Sequence, residues 1–253
     1  MTQLTKKDPP LIVSMTSYPP RFRTLDKVIA SLKVQSLKAD LLVLWINAND
    51  CALVPKQILE QQNDFFQIRS LKGVDLRSYK KLIPSLVAYP ESIVVTADDD
   101  VLYYKDWLRD LYDESLRRQH ACIICHTARR VVMDGDSMAP YASWGEIDAD
   151  EIAVGPDVFP TGVGGILYGP DTLAEVAKDH TSALACAPNG DDIWFFFSAK
   201  FKMSNRIKIP SKFHEPAVLN ETQNVALWKQ NLQRGGNDRQ IKQVERFFKN
   251  LAI

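Results

Sequence analysis

The chain has 253 residues, 45% hydrophobic and 25% charged, which suits one large α/β domain. Basic and acidic residues balance at 31 each, so nothing points to nucleic acid, and no apolar run reaches the roughly 18 residues of a membrane span. Four scattered cysteines, Cys51, Cys122, Cys125 and Cys186, make no disulfide framework, and "MTQLTKKDPP" lacks an apolar leader, so the expectation is a reduced, cytoplasmic protein.

From the amino end, "LIVSMT" (11–16) reads as a buried strand ending in a turn at Pro19-Pro20. Thr24 then opens a helix with Leu25, Val28, Ile29 and Leu32 at helical spacing. "LLVLWI" (41–46) is a second strand, 56–63 a short helix and "FFQIRSL" (65–71) a third strand. Over 78–89 the helical pattern meets Pro84, which predicts a break or a late start. "SIVVTA" (92–97) is the fourth strand, 104–119 a helix and "ACIICHT" (121–127) the fifth strand. "CIICH" matches a haem-attachment string, but its apolar setting makes both cysteines core residues. This alternation predicts a mostly parallel sheet with helices on both faces.

Periodicity fails over 128–164, as in a functional loop, and returns with the strand "GGILYG" (164–169) and a helix expected from Asp171. "NGDDIWFFFSAKF" (189–201) reads as a capped, buried helix and "SNRIKIPS" as a strand. A last helix is expected from Arg239. Its apolar stripe is Ile241, Val244, Phe248 and Leu251, beside a basic stripe of Arg239, Lys242, Arg246 and Lys249. From Lys200 onward there are 11 Lys/Arg against 4 Asp/Glu. Two readings of this helix stay open: a terminal helix docked on the body, or an interfacial helix giving peripheral membrane contact.

Asp98, Asp99 and Asp100 follow the fourth strand, at the edge where open α/β sheets bind ligands. Three adjacent carboxylates repel one another, and a hard cation, Mn²⁺ or Mg²⁺, removes that penalty. Alternation along an extended segment puts Asp98 and Asp100 on one face, toward one metal and its nucleotide, and turns Asp99 elsewhere. An N-cap cluster is the plainer alternative.

Five ordered segments, "VSMTSYPPRF", "LRSYKKLIPSL", "TADDDVLYY", "FPTGVGGILYGP" and "GDDIWFFF", resemble the GT-A glycosyltransferases, and more narrowly bacterial enzymes of surface-polysaccharide (capsule or lipopolysaccharide) synthesis. The resemblance covers roughly residues 11–200. It implies a Rossmann-like GT-A fold in one catalytic domain over 1–220, with a nucleotide-binding half (1–127) and an acceptor half (128–220), followed by a basic helical segment (221–253). It further implies transfer from a nucleotide-diphosphate sugar, a UDP-sugar first among them, to a hydroxyl of a glycan or lipid-linked acceptor. The donor would meet the hydroxyls of Thr16 and Ser17, the ring of Tyr18 and the cation of Arg21. Arg77 and Lys81, with Asp98 and Asp99, belong to the same nucleotide-sugar set, and Gly164 and Gly165 line the sugar pocket. Asp100 and Asp98 would hold the metal, joined by His214. Asp192, or else Asp191, would be the base for the acceptor hydroxyl, kept ionised at a helix start.

Other readings are open on the residues alone. A nucleotidyltransferase shares the fold logic and the metal, although no Gly/Arg/Lys-rich phosphate loop opens the chain. An aspartyl-phosphate phosphatase would carry its acidic motif after the first strand, not the fourth. A non-catalytic metal- or glycan-binding module leaves "GDDIW" without a task.

Overall fold

The computed structural model describes residues 8–212, the backbone of 217–218, and 235–251. Its first half runs β1 (Leu11–Thr16), α1 (Leu25–Lys33), β2 (Leu41–Asn47), α2 (Lys56–Leu59), β3 (Phe66–Leu71), α3 (Ile83–Ala88), β4 (Ile93–Ala97), β5 (Val101–Leu102), α4 (Trp107–Arg117) and β6 (Cys122–Cys125). The second half adds β7 (Ala128–Arg130), β8 (Met133–Asp134), β9 (Ser137–Met138), β10 (Ala153–Val154), β11 (Val158–Pro160) and β12 (Ile166–Tyr168). It closes with α5 (His180–Cys186), α6 (Asp191–Phe201), β13 (Asn205–Lys208), β14 (Ala217–Val218) and α7 (Gly236–Leu251).

Eight strands form the central sheet in the order β10-β13-β6-β12-β4-β1-β2-β3. All run parallel except β12, antiparallel to β4 and β6, and the edge strand β10, antiparallel to β13. The strands read as unbroken apolar runs because both faces are covered. On β1, Leu11, Val13 and Met15 pack with α1, α2 and α4 on one face, while Ile12 packs on the other. The second face, under α3, α5, α6 and α7, holds Val94, Ile123, Ile166 and Tyr168. The mostly parallel sheet with helices on both faces is thus the observed architecture.

Two features of this order place the site. β1 lies between β2 and β4, so the connections leaving β1 and β4 diverge and open a crevice at their carboxyl ends. Because β12 runs against β4, the turn that precedes it arrives at that same end.

Three expectations are corrected. No α-helix starts at Asp171, whose φ of 57° is left-handed. A 3-10 turn at Glu175–Lys178 comes first, and α5 begins only where Asp179 accepts from the N–H groups of Thr181 and Ser182 at 3.1 Å. The irregular 128–164 stretch contains two small antiparallel pairs, β7–β11 and β8–β9. In the last helix, Ile241, Val244 and Phe248 are buried against α5 and α6, and Trp194 meets the rings of Phe247 and Phe248, each at 5.2 Å. Three of the four stripe residues are core and only Leu251 is exposed, so the interfacial reading loses most of the apolar face it needs, while Arg239, Lys242, Arg246 and Lys249 stay exposed. Among the described residues, no helix is long and apolar enough to cross a membrane.

Candidate functional site

A cavity of about 1020 Å³ opens at the carboxyl ends of β1 and β4. The β1 turn brings Thr16, Ser17, Tyr18 and Arg21 to it, and the β4 end brings Asp98, Asp99 and Asp100. The 3-10 turn Arg77–Lys81 and the start of α6 bring Arg77, Lys81, Asp191 and Asp192. His214 lies outside the described residues.

The triplet is arranged differently from strand alternation. β4 ends at Ala97 and the chain turns at Asp99 and Asp100, so the period of two stops before the carboxylates. Asp99 and Asp100 converge on one nitrogen, Arg21 Nη1, at 2.6 and 2.9 Å. Ser17 also donates its hydroxyl to Asp99, at 2.6 Å. Arg21 is therefore the internal counter-ion of Asp99 and Asp100. Burial pulls its pKa down, but Asp99 and Asp100 more than reverse that. Burial raises the Asp99 carboxyl against the pull of Arg21 and Ser17. It raises Asp100 to about 6, with the charge of Asp98 adding to the effect.

Asp98 turns the other way. Its backbone N–H donates to the Tyr103 hydroxyl at 2.7 Å, and its carboxylate takes the Lys81 ammonium at 2.9 Å. Lys81 is only 7% exposed and also reaches Asp191, at 3.2 Å. Burial lowers its pKa, yet Asp191, Asp98 and Asp192 together hold it well above the ordinary lysine value. The segment is held down by Tyr79, which donates to Ala187 O at 2.6 Å, and by Lys80, paired with Asp75 at 2.7 Å.

Asp192 accepts from the Gly162 N–H at 3.1 Å. The helix start was expected to keep it ionised, but burial, then the neighbouring Asp191 charge, raises its pKa to about 7. Gly162 needs its missing side chain: a Cβ there would lie 2.8 Å from Lys81 Nζ and 3.3 Å from Asp192 Oδ1. Gly164 and Gly165, expected along the sugar pocket, do not line it. Gly165, at φ +85°, serves packing, since a Cβ would stand 2.5 Å from the Trp107 ring. Trp107 in turn donates to Gly164 O at 2.7 Å.

Nothing in the sequence singles out Gly162 beyond its membership of "TGVGGILYG", and Tyr103 is only one of two adjacent tyrosines. Arg129, Glu146 and Tyr141 also line the cavity, and all three lie in the 128–164 stretch read from the sequence only as a functional loop. Arg129 pairs with Glu146 at 2.5 Å and lies 5.2 Å from the Tyr141 ring centroid.

Asp98 and Asp100 turn to different counter-ions, Lys81 and Arg21, but both offer carboxylate oxygen, and burial, then the Asp98 charge, raises Asp100; that donor chemistry fits a hard divalent cation. Among the described residues no group of three or more His, Cys, Asp or Glu is set to hold a metal. Such an ion would be completed by substrate oxygens and water, as is usual for Mg²⁺.

Comparison with protein-family models finds no match, and comparison with curated proteins likewise finds none. Among solved structures, the chain is similar to 4-diphosphocytidyl-2C-methyl-D-erythritol synthase from Anaerococcus prevotii. The identity is 14% and the TM-score 0.39, over 70% of this chain and 77% of that one.

Proposed function

We propose that the protein is a metal-dependent glycosyltransferase that moves a sugar from a nucleotide-diphosphate donor to a hydroxyl of a glycan or lipid-linked acceptor. One observation carries the reading. Two acidic clusters about ninety residues apart, Asp98–Asp100 and Asp191–Asp192, meet in one cavity at the sheet's ligand edge, with Lys81 between them.

In this reading Thr16, Ser17 and Tyr18 receive the nucleoside, and Asp98 and Asp100 hold Mn²⁺ or Mg²⁺ against the diphosphate. The cation, when bound, supplies neutralisation of charge on the leaving group. Asp192 accepts the acceptor hydroxyl's proton, and a carboxyl that titrates near 7 is well matched to that task at neutral pH. Gly162 orients Asp192 through its N–H and leaves room beside it. The cavity, at about 1020 Å³, lies at the upper end of ligand-site volumes, which suits donor and acceptor bound together.

The distinguishing experiment analyses products with Mn²⁺ from two parallel panels, nucleotide sugars with a glycan acceptor and nucleoside triphosphates with phosphate monoesters. Sugar transfer releases a nucleoside diphosphate, whereas a nucleotidyltransferase releases pyrophosphate from a nucleoside triphosphate. Pyrophosphate as the sole product would replace the reading with the nucleotidyl one.

A further inference from the structure

Lys81 has an arrangement that neither substrate binding nor proton removal requires by itself. Its side chain is 9% exposed, and its ammonium lies 2.9 Å from Asp98 and 3.2 Å from Asp191. Asp98 belongs to the β4 end and Asp191 to the first turn of α6, so one buried cation connects the two walls of the cavity. Gly162 leaves no side chain between them, since a Cβ would sit 2.8 Å from Lys81 Nζ. Asp191 has few alternatives. It is 8% exposed, and its Oδ2, the atom facing Lys81, makes no hydrogen bond.

We propose that Lys81 is a positioning residue that couples the donor wall to the acceptor wall: a divalent cation on Asp98 displaces the Lys81 ammonium, and Asp191 receives it. This rests on the functional reading above, in which Asp98 is a metal ligand. A buried ammonium released without a partner carries a heavy desolvation cost. Asp191 removes that cost, because it is already within ion-pair distance. Occupation of the donor wall thereby moves positive charge toward Asp191 and its neighbour Asp192. The acceptor wall thus becomes more favourable to an ionised base once the donor wall is filled.

The proposal makes two predictions of opposite sign for metal binding, neither of which needs turnover. Removing Asp191 removes the acceptor of the displaced ammonium, so the cation competes with a Lys81 held by Asp98 alone. Removing Lys81 removes the competitor. Mn²⁺ alone is titrated into the full chain, with free Mn²⁺ counted by electron paramagnetic resonance. Asp191→Asn is expected to bind Mn²⁺ about tenfold more weakly than wild type, the scale of one charge-assisted hydrogen bond. Lys81→Met is expected to bind it at least as tightly as wild type, and Asp191→Asn added to Lys81→Met to change affinity less than about twofold.

A residue needed only for folding would weaken Mn²⁺ binding when removed, so tighter or equal binding in Lys81→Met separates the two roles. Should Lys81→Met not fold, Lys81→Gln takes its place, and the Asp191→Asn comparison with wild type stands without either. Equal Mn²⁺ affinity in Asp191→Asn and wild type would overturn the coupling alone. No Mn²⁺ binding by the wild type, either alone or with a panel of nucleoside diphosphates present, would overturn the metal-dependent reading, and the coupling with it.

Discussion

Arg21 and Asp99 form a 2.6 Å ion pair between side chains that are 11% and 8% exposed, and Asp100 shares the same guanidinium nitrogen at 2.9 Å. Removing the cation leaves two buried carboxylates facing each other. Arg21→Ala should therefore cost about 3–5 kcal/mol in stability, read from urea unfolding. Asp99→Asn in the same background should recover part of the loss, because it removes one uncompensated charge.

All three glycines of "TGVGG" meet close neighbours, and two of them, Gly162 and Gly165, predict opposite phenotypes. Gly165→Ala drives a methyl into the Trp107 ring at a left-handed backbone position. It should cost about 1–3 kcal/mol and shift tryptophan fluorescence. Gly162→Ala meets the flexible end of Lys81 and the Asp192 carboxylate. It should leave the unfolding midpoint nearly unchanged while reducing turnover, and a matching loss of stability would assign Gly162 to the fold.

Asp192 sets the pH behaviour. An acid whose folded pKa lies above its unfolded one binds its extra proton in the folded state. Its contribution to stability is full below about 4 and is lost as pH rises through about 7. The base role runs the other way, so kcat/KM should climb through about 7 as the carboxyl ionises. Asp192→Asn should flatten the stability profile, and reduce transfer to a residual rate without the rising limb, while Mn²⁺ binding persists. An unchanged rising limb in that variant would put the base elsewhere.

Phe248, 5% exposed, sits among Trp194, Phe197, Phe201 and Phe247. Phe248→Ala should cost about 3–5 kcal/mol, the usual range for a buried phenylalanine, as measured by thermal unfolding. A shift below the resolution of that measurement would mean that α7 is not part of the core.

The long strands were legible because parallel strands covered on both faces read as continuous apolar runs, as "LLVLWI" does. The placement of the aspartates at the ligand edge followed from their position after β4. Their partners did not follow, for a specific reason. Arg21 lies 78 residues from Asp99 in the chain, and the turn at Asp99 ends the alternation used to orient the triplet. Lys81 was equally readable as a solvated surface lysine, and only the arrival of α6 beside β4 makes it a buried bridge. For α7, the stripe was legible from spacing but not what covers it, because an amphipathic pattern does not distinguish a protein partner from a membrane.

The central claim is that Asp98 and Asp100 join a divalent cation to a nucleoside diphosphate, and thermal shift across a panel of nucleoside diphosphates tests it most directly. At least one of them should raise the Tm with Mn²⁺ present, lose that effect in EDTA, and lose it again in Asp100→Ala. Stabilisation that is the same in EDTA, or the same in Asp100→Ala, would contradict the account.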